Sequence, residues 1–189
     1  MPRKPRVWYP GATYHVMCRG NHRHNIFRDE EDYQSYLLIL AWAKKSYRFL
    51  LHSYCLMSNH VHLHLETSDM DISKIMKLIN MQYAVSFNKK YNFVGHLFQG
   101  RFRDELIKTD NYQLEISRYI HLNPVDAHIV EHPLDYPWSS YSVYMGVETD
   151  PLVTTEKILA YFPNSDASLY KKYVETPRQD RRKSTLNDQ

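Results

Sequence analysis

Residues 54–66, YCLMSNHVHLHLE, place His60, His62 and His64 at every second position, with Val61, Leu63 and Leu65 between them. Side chains alternate across a β-strand, so the imidazoles share one face and the aliphatic residues share the other. Such a segment is a half-buried strand with one side for a core and one for chemistry. Two readings of the imidazole face are open. Neutral imidazole is a common ligand of divalent ions, and two on one strand face can converge on a single ion, though a structural site usually needs about four protein ligands. A polar face held by hydrogen bonds is the alternative, because a chain of 189 residues with 11 His has about 0.6 His-x-His pairs by chance. His22 and His24 form a further pair of this kind.

Around this segment the hydrophobic pattern alternates between strand and helix. Residues 12–19 read as a first strand, and residues 29–48 as a helix with acidic residues in its first turn and basic ones in its last, as the helix dipole favours. Residues 49–54 and 60–66 form a strand pair joined by a turn around Met57, Ser58 and Asn59. A second helix is predicted over 71–91, with Ile72, Ile75, Met76, Ile79 and Tyr83 as its buried stripe. A fourth strand over 101–108 and a third helix over 111–122 follow; Pro124 ends that helix, because the residue before a proline avoids the helical region. This order is the split βαβ pattern of ferredoxin-like folds, an α+β class in which helices cover one sheet face and the other faces a ligand. A first domain over 1–130, a helical appendage over 131–176 and a disordered polar tail over 177–189 are expected.

Composition narrows the function classes. A chain with 43% hydrophobic and 24% charged residues is a soluble globular protein. The basic N-terminus leads into no apolar run of the length a membrane span or signal peptide requires, so a cytoplasmic protein is expected. Cys18 and Cys55, the two cysteines, make neither a disulfide framework nor zinc-ligand pairs and read as packing residues. A formal charge of +3 says little, but basic residues cluster with aromatics or histidines over 3–9, 19–24 and 95–103. Arg19, Arg23, Arg101 and Arg103 fall in these clusters. Cationic donors for phosphates beside flat partners for bases suit a single-strand nucleic-acid binder; an ordinary solvated surface is the alternative for any one cluster.

The third helix adds what the histidine pair lacks. Tyr119 and Asn123 are four residues apart and share a face if both are helical. The Asn123 amide oxygen would complete a site of two imidazoles and one oxygen, with open positions for a phosphate beside Tyr119.

The segments NHVH (59–62), RYIHLNPV (118–125), YHVMCRGN (14–21), IFRDEEDY (26–33) and PWSSY (137–141) stand in one order. Together they resemble the REP-associated tyrosine transposases, which belong to the single-strand DNA transposases marked by a histidine, hydrophobic, histidine motif. The resemblance covers about residues 6–146. It implies a catalytic domain over 1–130 that nicks single-stranded or hairpin DNA with a divalent ion, magnesium or manganese. His60 and His62 would be the metal ligands, Asn123 the third, and Tyr119 the nucleophile forming a 5′-phosphotyrosine. The active unit would be a monomer or a homodimer. Two positions depart from the family pattern: His64 stands where an aliphatic residue is usual, reading as a structural residue with an extra metal ligand as the alternative, and Asp126 replaces a basic residue; His121 lies within the tyrosine motif, where capping or packing is its plain role. Among 16 Tyr, Tyr119 is chosen on the resemblance, with Tyr112 on the same helix as the first alternative. A non-catalytic binder of hairpin DNA or RNA is the second function; a zinc hydrolase is a distant third, lacking a His-Glu-x-x-His motif.

Overall fold

The computed structural model describes residues 6–177, so all but the first residue of the expected polar tail lies outside the described residues. Four strands, β1 (Thr13–Arg19), β2 (Leu50–Met57), β3 (His60–Glu66) and β4 (Arg103–Ile107), form an antiparallel sheet in the order β2-β3-β1-β4. That order is the one the split βαβ pattern requires. Ser58 and Asn59 alone turn the chain from β2 to β3, with Met57 opposite His60. Val61, Leu63 and Leu65 have no exposed surface. Burying each of them contributes about 1.5–3 kcal/mol, which fixes which face of β3 is core and so which face carries imidazole.

Helices α1 (Glu30–Tyr47) and α2 (Ile72–Tyr91) cover the core face. The first begins in a capping box in which the Asp29 carboxylate accepts from the Asp32 N–H and Asp32 reciprocates. Both end on a left-handed residue, Arg48 and Asn92, whose N–H closes onto the carbonyl four residues back. Tyr36, Leu40 and Ala43 of α1 and Ile75, Met76, Ile79 and Tyr83 of α2 pack with Val16, Leu51, Leu56 and Leu63 of the sheet.

A third helix, α3 (Asp110–Asp126), lies on the opposite face, where Ile116 and Ile120 pack against Cys55, Met57, Ile107 and Tyr136. It covers part of that face and leaves His60 and Tyr119 partly exposed. Pro124 does not end it, contrary to the sequence expectation. Proline denies the Ile120 carbonyl its N–H partner. The loss falls in the final turn, where the Ala127 N–H reaches Asn123 O at 3.0 Å, the Ile129 N–H reaches Pro124 O at 2.9 Å, and the Asn123 side chain donates to Tyr119 O at 2.9 Å. These bonds and the burial of Pro124 carry the helix through.

The segment after α3 contains α4 (Tyr141–Tyr144), α5 (Glu156–Leu159) and α6 (Ala167–Glu175). Its own apolar cluster of Tyr141, Tyr144, Ile158, Tyr170 and Val174 packs on Leu114 and Leu122 of α3. It is also laced to the sheet edge, since the Leu56 N–H donates to Trp138 O at 2.9 Å and the Thr154 N–H to Leu51 O at 2.8 Å. The nucleophile-candidate helix is thus held between sheet and C-terminal segment. At the far end of β1, Gly20 turns so tightly that an added Cβ would stand 2.1 Å from His24 O. There the Asn21 N–H donates to Leu97 O at 2.8 Å and the Gln99 N–H to Arg19 O at 2.9 Å, which fastens the basic segment 95–103 beside Arg19.

Candidate active site

On the second face of the sheet, β3 sets the rings of His60 and His62 with centroids 4.9 Å apart, nearly perpendicular at 83°. Each ring has its Nδ1 engaged within the protein. His60 Nδ1 donates to the Asn59 amide oxygen at 2.6 Å, and His62 Nδ1 lies 2.9 Å from Nε2 of His15 on β1. The two Nε2 atoms remain as candidate ligand donors. Tyr119, half-buried on α3, presents its ring at right angles to His62, with centroids 5.4 Å apart, and to His15 at 5.7 Å. One turn further on, the Asn123 side chain reaches His60. Burial pushes His60 down to about 4, helped by the nearby Arg19 guanidinium and opposed by the Asn123 hydrogen bond. His62 falls well below the ordinary imidazole value, mainly through burial and then through His15, His60 and Arg19. Both rings are therefore neutral near pH 7, the form in which imidazole offers a lone pair to a metal.

The third histidine of the strand goes elsewhere. His64 is fully buried and its Nε2 donates to the Gln113 side-chain oxygen of α3 at 2.6 Å. His121 is also fully buried, 2.7 Å from the Tyr170 hydroxyl through Nδ1 and 2.8 Å from Ser140 Oγ through Nε2. Both therefore seat α3, one before Tyr119 and one after it. Tyr112 is pushed up to about 12 by burial and by its hydrogen bond to the Glu105 carboxylate, which makes its phenolate harder to reach than an ordinary one.

Of the four arginines, Arg19, Arg101 and Arg103 line one depression with Met17, Gln99 and Gly100. Arg19 stands opposite His60 in the β1–β3 register, so this cationic edge adjoins the imidazole pair. Arg23 lines a separate shallow depression with His24, Asn25 and Arg28. Among the described residues no group of three or more His, Cys, Asp or Glu side chains is arranged to hold a metal ion. A donor set built from these residues is limited to the two imidazoles and the Asn123 amide. Sequence reasoning missed His15, whose signal was available: His15, Met17 and Arg19 alternate on β1 as the three histidines do on β3. It also missed a second polar cluster, in which His52 Nε2 donates to Glu66 at 3.0 Å and Lys157 pairs with the same carboxylate.

Among the described residues no helix is long and apolar enough to cross a membrane. The fold is similar to that of a REP-associated tyrosine transposase bound to a REP hairpin, at a TM-score of 0.65 and 22% identity over 82% of this chain and 91% of that one. Lower similarity, at a TM-score of 0.45 and 19% identity over 63% of this chain and 95% of that one, is found to a protein of Deinococcus radiodurans described as a transposase. The tRNA(His) guanylyltransferase of Saccharomyces cerevisiae gives a TM-score of 0.46 at 12% identity, over 93% of this chain and 76% of that one. Curated proteins give no match. The family model described as "Transposase IS200 like" matches residues 9–123, a span that runs from Tyr9, just before β1, to Asn123 and takes in His15, the imidazole pair and Tyr119. With more than half of its length inside that match, the chain belongs to the IS200-like transposases.

Proposed function

We propose that this chain nicks single-stranded DNA at hairpin or palindromic sequences and transfers the strand through a 5′-phosphotyrosine on Tyr119. The observation that carries the reading is the packing of the Tyr119 ring against His62, with Asn123 one turn away at His60 and the Arg19 edge beside them. The hairpin in the similar transposase structure supports the substrate class.

Tyr119 Oη attacks a backbone phosphorus and the bond to the 3′-oxygen breaks; the phenol loses its proton, the upstream fragment leaves with its 3′-oxygen protonated to a hydroxyl, and the 5′-phosphate of the downstream fragment stays on the tyrosine. Attack of a 3′-hydroxyl on that ester reverses the step. A phenol of pKa about 10 leaves far more readily than a sugar alkoxide, so rejoining needs no nucleotide cofactor. His60 and His62 through Nε2, with the Asn123 amide oxygen, would hold a divalent ion, magnesium or manganese. Such an ion, when bound, neutralises charge developing on the phosphoryl oxygens. Arg19, Arg101 and Arg103 hold the flanking phosphates, and Arg23 adds a contact further along the strand.

Replacing Tyr119 with Phe removes the attacking oxygen and keeps the ring. We expect hairpin-oligonucleotide binding to persist while nicking and the covalent adduct disappear, as read on denaturing gels. If Tyr119→Phe still forms the adduct, the nucleophile lies elsewhere and mass mapping of the adducted peptide identifies it. If the wild type forms none with magnesium or manganese present, the chain is a hairpin binder and the proposed chemistry fails.

A further inference from the structure

We infer that His15 is a positioning residue that holds His62 in the tautomer whose Nε2 lone pair is free for a metal ion. The inference rests on the proposed role of His62 as a ligand.

The two rings meet in a defined way. In the β1–β3 register His15 faces His64 and Met17 faces His62, so His15 and His62 are diagonal neighbours on one face, close enough for rings to touch. They are stacked at 17° with centroids 5.1 Å apart, and His15 Nε2 lies 2.9 Å from His62 Nδ1. One proton sits between two nitrogens, and its owner decides what His62 can do. If His15 owns it, neutral His62 carries its proton on Nε2 and has no lone pair there. If His62 owns it, on Nδ1, the Nε2 lone pair is free. Only the second arrangement suits ligation.

Two residues earlier on β3 the same device stands in simpler form. His60 Nδ1 meets the Asn59 amide oxygen at 2.6 Å, an atom that can only accept, so that ring is fixed with Nε2 unprotonated. His15 does for His62 what Asn59 does for His60, provided that His15 accepts through Nε2 and keeps its own proton on Nδ1. The sheet favours this. β3 and β4 flank β1 on opposite sides, and His15 stands opposite Glu105 of β4, so a carboxylate that favours a proton lies on the side away from His62. His15 is 8% exposed, and its ring is braced by the edge of Tyr119. The ring that orients the ligand therefore also packs against the nucleophile.

Two measurements test this on the full chain. Nitrogen-15 NMR of the histidine rings in metal-free protein is expected to show His62 protonated on Nδ1 and His15 on Nδ1. A His62 ring protonated on Nε2 overturns the inference without reference to any mutant. Titration with Mn²⁺, read by the electron paramagnetic resonance of the free ion, compares the wild type with His15→Leu, His15→Gln and His62→Ala. Loss of the outer partner is expected to weaken Mn²⁺ binding about 10–100-fold in His15→Leu, while His15→Gln, which keeps an acceptor, stays within about threefold of the wild type. If His62→Ala binds Mn²⁺ as the wild type does, the ligand assignment itself fails. If His62→Ala loses the ion and His15→Leu keeps it, the positioning role alone fails.

Discussion

One strand carries three histidines at the same spacing, yet each meets a different partner: Asn59 for His60, His15 for His62 and Gln113 for His64. Alternation made the shared face legible, because period two is a local property of the chain. It could not separate the three fates, since Gln113 is 49 residues from His64 and His15 is 47 from His62. The difference is testable at His64. His64→Leu leaves the buried Gln113 oxygen without its donor and is expected to cost about 1–3 kcal/mol in chemical denaturation, while Mn²⁺ affinity remains that of the wild type. A drop in Mn²⁺ affinity of tenfold or more in this variant would make His64 a ligand after all.

The elements themselves were legible where local chemistry set their ends. Asp29 before α1 and the alternation in β3 are signals within a few residues, and both elements fall where the pattern puts them. The end of α3 was not, because what carries the helix past Pro124 includes the Asn123 side chain folding back on Tyr119 O. Nor did the sequence show that Arg19 and Arg101 line one depression, which depends on the backbone bonds of Asn21 and Gln99 across to distant partners. That fastening gives the cationic edge its expected role. Replacing Arg19, Arg23, Arg101 and Arg103 together with Ala should lower hairpin affinity and flatten its salt dependence, by about 0.7 in the log–log slope for each phosphate no longer neutralised. Unchanged affinity and slope in a fluorescence-anisotropy titration would reduce the edge to solvated surface.

Across the molecule, the buried histidines make stability depend on pH. His15, His60, His62, His64 and His121 are all held below the ordinary imidazole value, chiefly by burial, with His121 at about 3. Unfolding releases them to about 6.5, so between these values the unfolded chain binds more protons and stability falls as pH falls. Glu66, held at about 2 by His52 and Lys157, acts in the same direction below about 4.5. Urea midpoints are therefore expected to drop steeply from pH 6.5 towards pH 4, with a shallower slope in His121→Gln. Each histidine that remains neutral in the fold adds about 1.4 kcal/mol per pH unit within its window. A flat profile over that range would mean that the rings take up protons without unfolding.

The seat of α3 also sets an order in time. Its inner side rests on β2 and β3, which precede it, but Ser117 and His121 share the Tyr170 hydroxyl, and the Arg118 guanidinium donates to the carbonyls of Val174 and Thr176. A chain made from its N-terminus completes the imidazole pair first and the outer wall of the tyrosine helix last. The contacts that close the outer side of the tyrosine helix therefore lie in residues 170–176, the last stretch of the described chain to be synthesised.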